Sequence, residues 1–222
     1  RSGAFASSQG VTPHGIGYCS GDTESILSRN GHVTIEGEAQ DGPGEALKVR
    51  ATTVKLNVTC RRTRGTISIE QCDSGDVTVY GEDIGEVAGA TDTIGVGVAL
   101  LDAQNVTVRG RVSLSANYSQ AQVIYGASAA GSIRACKNCN VTDFTVVSNT
   151  NSAGGVRALY TGIGSDAHPQ ASVSNITFRA PRIIQNGTGA VIGAYLLNGT
   201  GINLIRPQAS GLTGNLYTIA SS

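Results

Sequence analysis

The feature that most constrains this chain is the return of one short, strand-like phrase. "HVTIEG" (32–37), "DVTVYG" (76–81), "NVTVRG" (105–110), "NVTDFTV" (140–146), "NITFRAP" (175–181) and "GINLIRP" (201–207) share an alternating, β-branched pattern closed by Gly, Pro or a polar cluster. Their starts differ by 44, 29, 35, 35 and 26 residues, and "VKLNVTC" (54–60) divides the longest gap. Such a period belongs to arrays in which each unit buries its apolar face only against its neighbours. Between these phrases lie "ALKVRA", "TISIE", "IGVGVALL", "VRALYTG" and "AVIGAYLL". Successive side chains of a strand point to opposite faces, so alternation of this kind supplies one apolar face per strand.

Two or three short strands per unit, with unequal loops between them, predict an all-β fold. The specific expectation is a right-handed single-stranded parallel β-helix, a solenoid whose coils stack at strand spacing. Composition agrees: charged residues are only 14% of the 222, Gly is present 30 times, and Met and Trp are absent. That mixture favours strands and tight turns over helices. One short helix is expected in "SGDTESILSRNG" (20–31), with Asp22 as N-cap and Gly31 as stop signal. The chain then divides into a lead-in over 1–30 and a parallel β-helix over 31–222. A β-sandwich also has many short strands, but it gives no reason for a corner phase that recurs.

Seven Asn-x-Ser/Thr triplets occur, at Asn57, Asn105, Asn117, Asn140, Asn175, Asn186 and Asn198. In a secreted protein they read as glycan acceptors. Asn105, Asn140 and Asn175, however, stand 35 residues apart twice over and run directly into strands. Asn tolerates the left-handed backbone and bonds to neighbouring backbone, so all three are expected at corners, each followed by an inward Val or Ile.

A formal net charge of zero argues against a nucleic-acid partner, since phosphate binding needs a clustered basic surface; "CRRTRG" (60–65) is too short to alter that. No apolar run reaches the length of a membrane span. "RSGAFASSQG" lacks the apolar segment of a signal peptide, and an excised fragment is expected. The strands that close the sequence have no polar cap, so that end is expected to lie under partner chains or a further domain. Cys19, Cys60, Cys72, Cys136 and Cys139 are an odd set, read as free, buried thiols rather than a disulfide framework. "CKNC" (136–139) has redox or half-zinc spacing, yet no second such pair accompanies it. No metal and no cofactor are expected.

The lead-in "GDTESILSRNGHVTIEGE" (21–38) and the recurring Asn-Val-Thr-Val phrases resemble the β-helix domain of bacteriophage tailspikes and related pectate-lyase-like proteins. The resemblance spans residues 20–222; Asp22, Thr23 and Ile26 match the helix that precedes the first coil, while the Gly-Thr-Tyr turn of the family is missing. It implies a homotrimer on the virion tail, assembled in the host bacterial cytoplasm, that attaches to bacterial surface polysaccharide. Such proteins often cut the polymer as endo-acting glycoside hydrolases, or depolymerases. The alternative is a non-catalytic adhesin or structural segment. A secreted polysaccharide lyase ranks third, because no calcium-binding acidic ladder is evident.

Glycoside hydrolysis needs two carboxyl groups at a set separation. The acid-rich segment 80–104, which also contains Glu86, offers Glu82, Asp83, Asp92 and Asp102 as catalytic candidates. Glu82 and Asp102 are about one coil apart in sequence, so stacking is expected to bring them to one face. Glycan-binding candidates are Arg111, Tyr118, Tyr125, Tyr160, Asp166, His168 and Tyr195, because sugars stack on aromatic faces with polar rims. No Gly-x-Ser-x-Gly elbow supports an esterase.

Overall fold

The computed structural model describes residues 26–40, 45–63, 65–85, 94–115, 120–127, 136–151, 156–161, 173–189, 191–197 and 199–220. Among them the structure is all-β, with no helix. The strands are β1 (Ile26–Gln40), β2 (Glu45–Arg61), β3 (Gly65–Glu70), β4 (Ser74–Ile84), β5 (Ile94–Leu101) and β6 (Val106–Leu114). Then follow β7 (Gln120–Ala127), β8 (Asn140–Ser148), β9 (Val156–Thr161), β10 (Val173–Ser174), β11 (Thr177–Arg179) and β12 (Arg182–Gln185). The last are β13 (Val191–Leu197), β14 (Gly199–Thr200), β15 (Asn203–Ile205), β16 (Gln208–Ser210) and β17 (Tyr217–Ala220).

Fifteen strands form one curled sheet, ordered β15-β11-β8-β6-β4-β2-β3-β5-β7-β9-β13-β17 along its main path. Every pairing among the described residues is parallel, and from β3 onward each strand lies beside its counterpart from the next repeat rather than beside its neighbour in sequence. The sheet has three strips. β3, β5, β7, β9, β13 and β17 make the first. The opening halves of β4, β6 and β8, with β11 and β15, make the second, and their closing halves, with β12 and β16, make the third. β2 runs through all of them, pairing β3 with its first half and β4 with its second.

The recurring phrases stack as their pattern requires. Ile35, Leu56, Val77, Val108, Val141, Phe178 and Leu204 occupy one register column on successive repeats. Leu56, Val77, Val108, Val141 and Phe178 are buried, and the intervening residues of β4 and β6 face outward. A second column on the third strip joins Cys60, Gly81, Val112, Val146 and Ile183. Each buried Val, Leu, Ile or Phe contributes roughly 1.5–3 kcal/mol, so these columns are the main stabilising element of the array.

Corners are made by residues in the left-handed backbone region. Asn105, Asn138 and Asn175 have φ of 52°, 56° and 53°, and Gly201 follows at 66° in the same place. Asn138 donates from Nδ2 to Oδ1 of Asn105 at 3.3 Å, and Asn175 donates to Oδ1 of Asn138 at 3.2 Å. Asn105 in turn donates to the carbonyl of Asp73 at 2.9 Å. This asparagine ladder confirms the corner expected at Asn105 and Asn175 and corrects the one at Asn140. Asn140 opens β8, level with Thr107 and Thr177, and Asn138 takes the corner. A slip of two residues keeps every side chain on its own face, so alternation alone does not distinguish the two placements. A shorter ladder joins Asn186 to Asn149 at 3.1 Å and Asn149 to Ser113 at 3.2 Å.

The helix expected over 20–31 is absent from its described part, where Ile26 opens β1. Parallel pairing of Ile26, Leu27 and Ser28 with Val49, Arg50 and Ala51 gives the backbone its partners. The Asn30-Gly31 turn signal is absorbed as a register shift between Ser28 and His32. β1 therefore crosses residue 30, where the lead-in was expected to end.

Candidate functional site

The structure separates the acidic candidates. Glu82 lies near the end of β4, exposed, with an oxygen 3.5 Å from Nε of Arg61 on the preceding repeat. Asp83 follows in the left-handed region at φ 52° and is half-buried. Asp102 stands at a different corner, after β5, where the N–H of Gln71 donates to the carbonyl of Leu101. It has φ 54°, is fully buried, and neither carboxyl oxygen has a hydrogen-bond partner. An exposed, ion-paired Glu82 and a buried Asp102 at separate corners do not flank one glycosidic bond. The expectation that stacking brings them to one face is therefore corrected: they are about one repeat apart in sequence but out of phase around it. Asp92 and Glu86 lie outside the described residues, as do Tyr118, Asp166 and His168.

The interior beside Asp102 holds thiols. Cys60, Cys72, Cys136 and Cys139 are free and buried, and Cys19 lies outside the described residues. Sγ of Cys136 is 3.7 Å from Sγ of Cys139. Their hydrogen bond raises the Cys136 thiol, with burial and the nearby Asp102 adding to the effect, and it lowers Cys139. Burial pushes Cys60 up to about 12 and Cys72 to about 11. Cys60, Cys72 and Cys136 are thus held as protonated, buried thiols. No group of three His, Cys, Asp or Glu among the described residues is arranged to hold a metal ion.

Three of the four tyrosines expected to bind glycan occupy aligned positions. Tyr125 pairs in register with Tyr160, and Tyr160 with Tyr195, on the adjacent strands β7, β9 and β13. Parallel neighbours lie about 4.8 Å apart, so the three positions make a column about 10 Å long on the first strip. The adjacent Leu159 and Ala194, level with each other, are buried, and Tyr195 is half-buried. The guanidinium carbon of Arg157 sits 4.4 Å from the ring centroid of Tyr195, a cation–π contact that fixes a charged group at the aromatic column. Arg157, the second residue of β9, carries no signal in the sequence that marks it for this place.

Arg111 belongs elsewhere. It is exposed on the third strip, level with Tyr80 on one side and Thr145 on the other. Tyr80 is itself 51% exposed, one of the few large apolar groups among the described residues left open to solvent. Nothing in the charge pattern of the sequence marked Tyr80, since it reads as one more aromatic of a strand.

Against family models, curated proteins and solved structures, the chain has no match. No helix among the described residues is long and apolar enough to cross a membrane.

Proposed function

We propose that this chain is a closed, right-handed parallel β-helix of the tailspike type that attaches to bacterial surface polysaccharide along its tyrosine column. The observation that carries the reading is the register of Tyr125, Tyr160 and Tyr195 on three adjacent strands, with Arg157 over the last ring. A sugar polymer offers repeating apolar faces edged by hydroxyls. Aromatic positions at regular spacing, with an adjacent cation, suit that repeat better than they suit one small ligand. The strict parallel pairing of each strand with its next-repeat counterpart supports the solenoid, because antiparallel hairpins, which a sandwich requires, do not occur among the described pairings.

Binding without cleavage is the form of this function that the geometry favours. The separation of Glu82 from Asp102 speaks against these two as the carboxyl pair of hydrolysis, and Asp92 lies outside the described residues. As a phage attachment protein the chain would act as a homotrimer on the virion tail. Light scattering then returns three times the 22.6 kDa chain mass, and a monomer mass refutes the trimer.

Incubation with purified capsular and O-antigen polysaccharides, read by size-exclusion chromatography, tests the function. Retention of polymer with the protein, lost in Tyr195→Ala and Arg157→Ala variants that keep their thermal midpoint, is expected. Unchanged polymer length accompanies it. Shortening of the polymer restores an enzyme with carboxyl groups other than the Glu82 and Asp102 pair. No retention of any polymer sinks the attachment reading.

A further inference from the structure

The neutral total charge hides a strong polarity along the chain. Residues 1–103 hold 14 acidic and 8 basic side chains, whereas residues 104–222 hold 2 acidic and 8 basic. The repeats stack in sequence order, so this polarity becomes one of position along the array. Its basic half is concentrated further by the bend between the second and third strips.

That bend is a column of left-handed residues: Gly110 at φ 129°, Asp143 at 52°, Ala180 at 50° and Arg206 at 51°. The N–H of Ala180 donates to the carbonyl of Ile205, which ties the last two levels together. Outward positions on either side of the bend are arginines on two of the four levels. Arg109 and Arg111 flank Gly110, Arg179 and Arg182 flank Ala180, and Arg206 occupies the bend itself on the last level. All five are exposed. Arg109 is neutralised by Asp76 at 3.0 Å. Arg111, Arg179, Arg182 and Arg206 have no ion-pair or hydrogen-bond partner among the described residues, and Asp143 is the one acid within the column.

Register fixes the spacing. Arg111 pairs with Thr145 and Thr145 with Arg182, so the two arginines stand two strand spacings apart, about 10 Å. Unpaired guanidinium groups repeated along a line present forks that match carboxylates. Exposed Asp143 stands at the bend on the level between them, yet among the described residues it forms no ion pair with either arginine; of the five, only Arg109 has an acidic partner, Asp76. The exposed ring of Tyr80, level with Arg111, adds a stacking face at the start of the line.

We infer that this corner is a second binding line, separate from the tyrosine column, that takes an acidic polysaccharide whose repeating units carry carboxylates, lying along the array axis. A nucleic acid fits less well. It needs several stacking faces and a domain of strongly basic balance, and the acidic first half of this chain would repel its extension.

Titration of the full chain with alginate, a polyuronate, against neutral dextran and a single-stranded oligonucleotide decides the matter. Alginate is expected to bind, with affinity falling as salt rises, and dextran is not expected to bind at this line. The double variant Arg111→Glu/Arg182→Glu should weaken alginate binding by about 10-fold or more. Lys137→Glu, exposed at the other corner, serves as the control and should leave binding unchanged. All these side chains are at the surface, and an unaltered thermal midpoint verifies the fold. Equal alginate binding by the double variant overturns the inference, as does the absence of alginate binding. Tighter binding of the oligonucleotide than of alginate replaces the glycan by nucleic acid. The two functional readings fail separately: loss of neutral or capsular polymer binding in Tyr195→Ala belongs to the tyrosine column alone.

Discussion

Replacing Asn138 by Ala removes two rungs of the asparagine ladder and leaves a methyl side chain in the left-handed region. The lost contacts are the 3.3 Å bond to Asn105 and the 3.2 Å bond from Asn175, both at the surface. Exposed bonds of this kind contribute at the low end of ~0.5–1.5 kcal/mol each, so the pair accounts for about 1 kcal/mol. A backbone at φ 56° costs an alanine a further ~1–2 kcal/mol that asparagine partly escapes. The expected loss is therefore about 2–3 kcal/mol, which in a chain of this size lowers the thermal midpoint by roughly 2–4 °C per kcal/mol. Asn138→Gly separates the two causes. Glycine adopts the left-handed region freely but makes no side-chain bond, so it should be less damaging than alanine. Asn140→Ala, two residues on, lies at an exposed strand position outside the ladder and should stay within about 0.5 kcal/mol of the parent. Urea unfolding of the three variants, compared at constant slope, is the assay. The reasoning is refuted if Asn140→Ala destabilises as much as Asn138→Ala, or if the glycine variant is as damaged as the alanine one.

Two further perturbations probe the interior. Burial raises the Cys60 thiol from 9.0 to about 12, so the folded chain holds a proton that the unfolded chain releases above pH 9. Its contribution to stability is complete below pH 9 and declines as pH rises toward 12, by ~1.4 kcal/mol per pH unit. Cys60→Val should flatten that alkaline decline in equilibrium unfolding; an identical pH profile would show that the thiol does not titrate differently on folding. Asp102 presents the opposite case, a fully buried carboxyl with no hydrogen-bond partner at either oxygen. Asp102→Asn keeps the size and the tolerance of φ 54° while reducing the cost of desolvation, so the free energy of unfolding should rise by about 1 kcal/mol or more, and the midpoint with it. A fall in the midpoint would reveal a stabilising role for the carboxyl that its surroundings do not explain.

The strands of this protein were legible because their cause is local. Val77, Val79, Val106 and Val108 alternate with polar residues, and period-two alternation means one buried face wherever the strand is placed. The corner chemistry was legible for the same reason at Asn105 and Asn175, since left-handed tolerance belongs to the residue itself. The tyrosines at 125, 160 and 195 stand as far apart as the triplet asparagines do, 35 residues twice over, and here equal spacing did correspond to one register column. That shared interval is the sequence signal for the column.

Register and sidedness were decided only in three dimensions. Equal spacing pointed to Asn140, but unequal loop lengths put Asn138 at the corner, with intervals of 33 and 37 residues. Loops between strands can lengthen in one repeat and shorten in the next at little cost, because their ends are held by the sheet. The interval between equivalent residues is thus set by pairing with the neighbouring strand and not by the chain's own count. The same freedom separated Glu82 from Asp102, which one interval had joined, and aligned Arg111 with Arg182, which no interval had linked. A residue's face is written in its immediate neighbours; its companions across the sheet depend on backbone hydrogen bonds between distant segments, which carry no side-chain signature for the sequence to display.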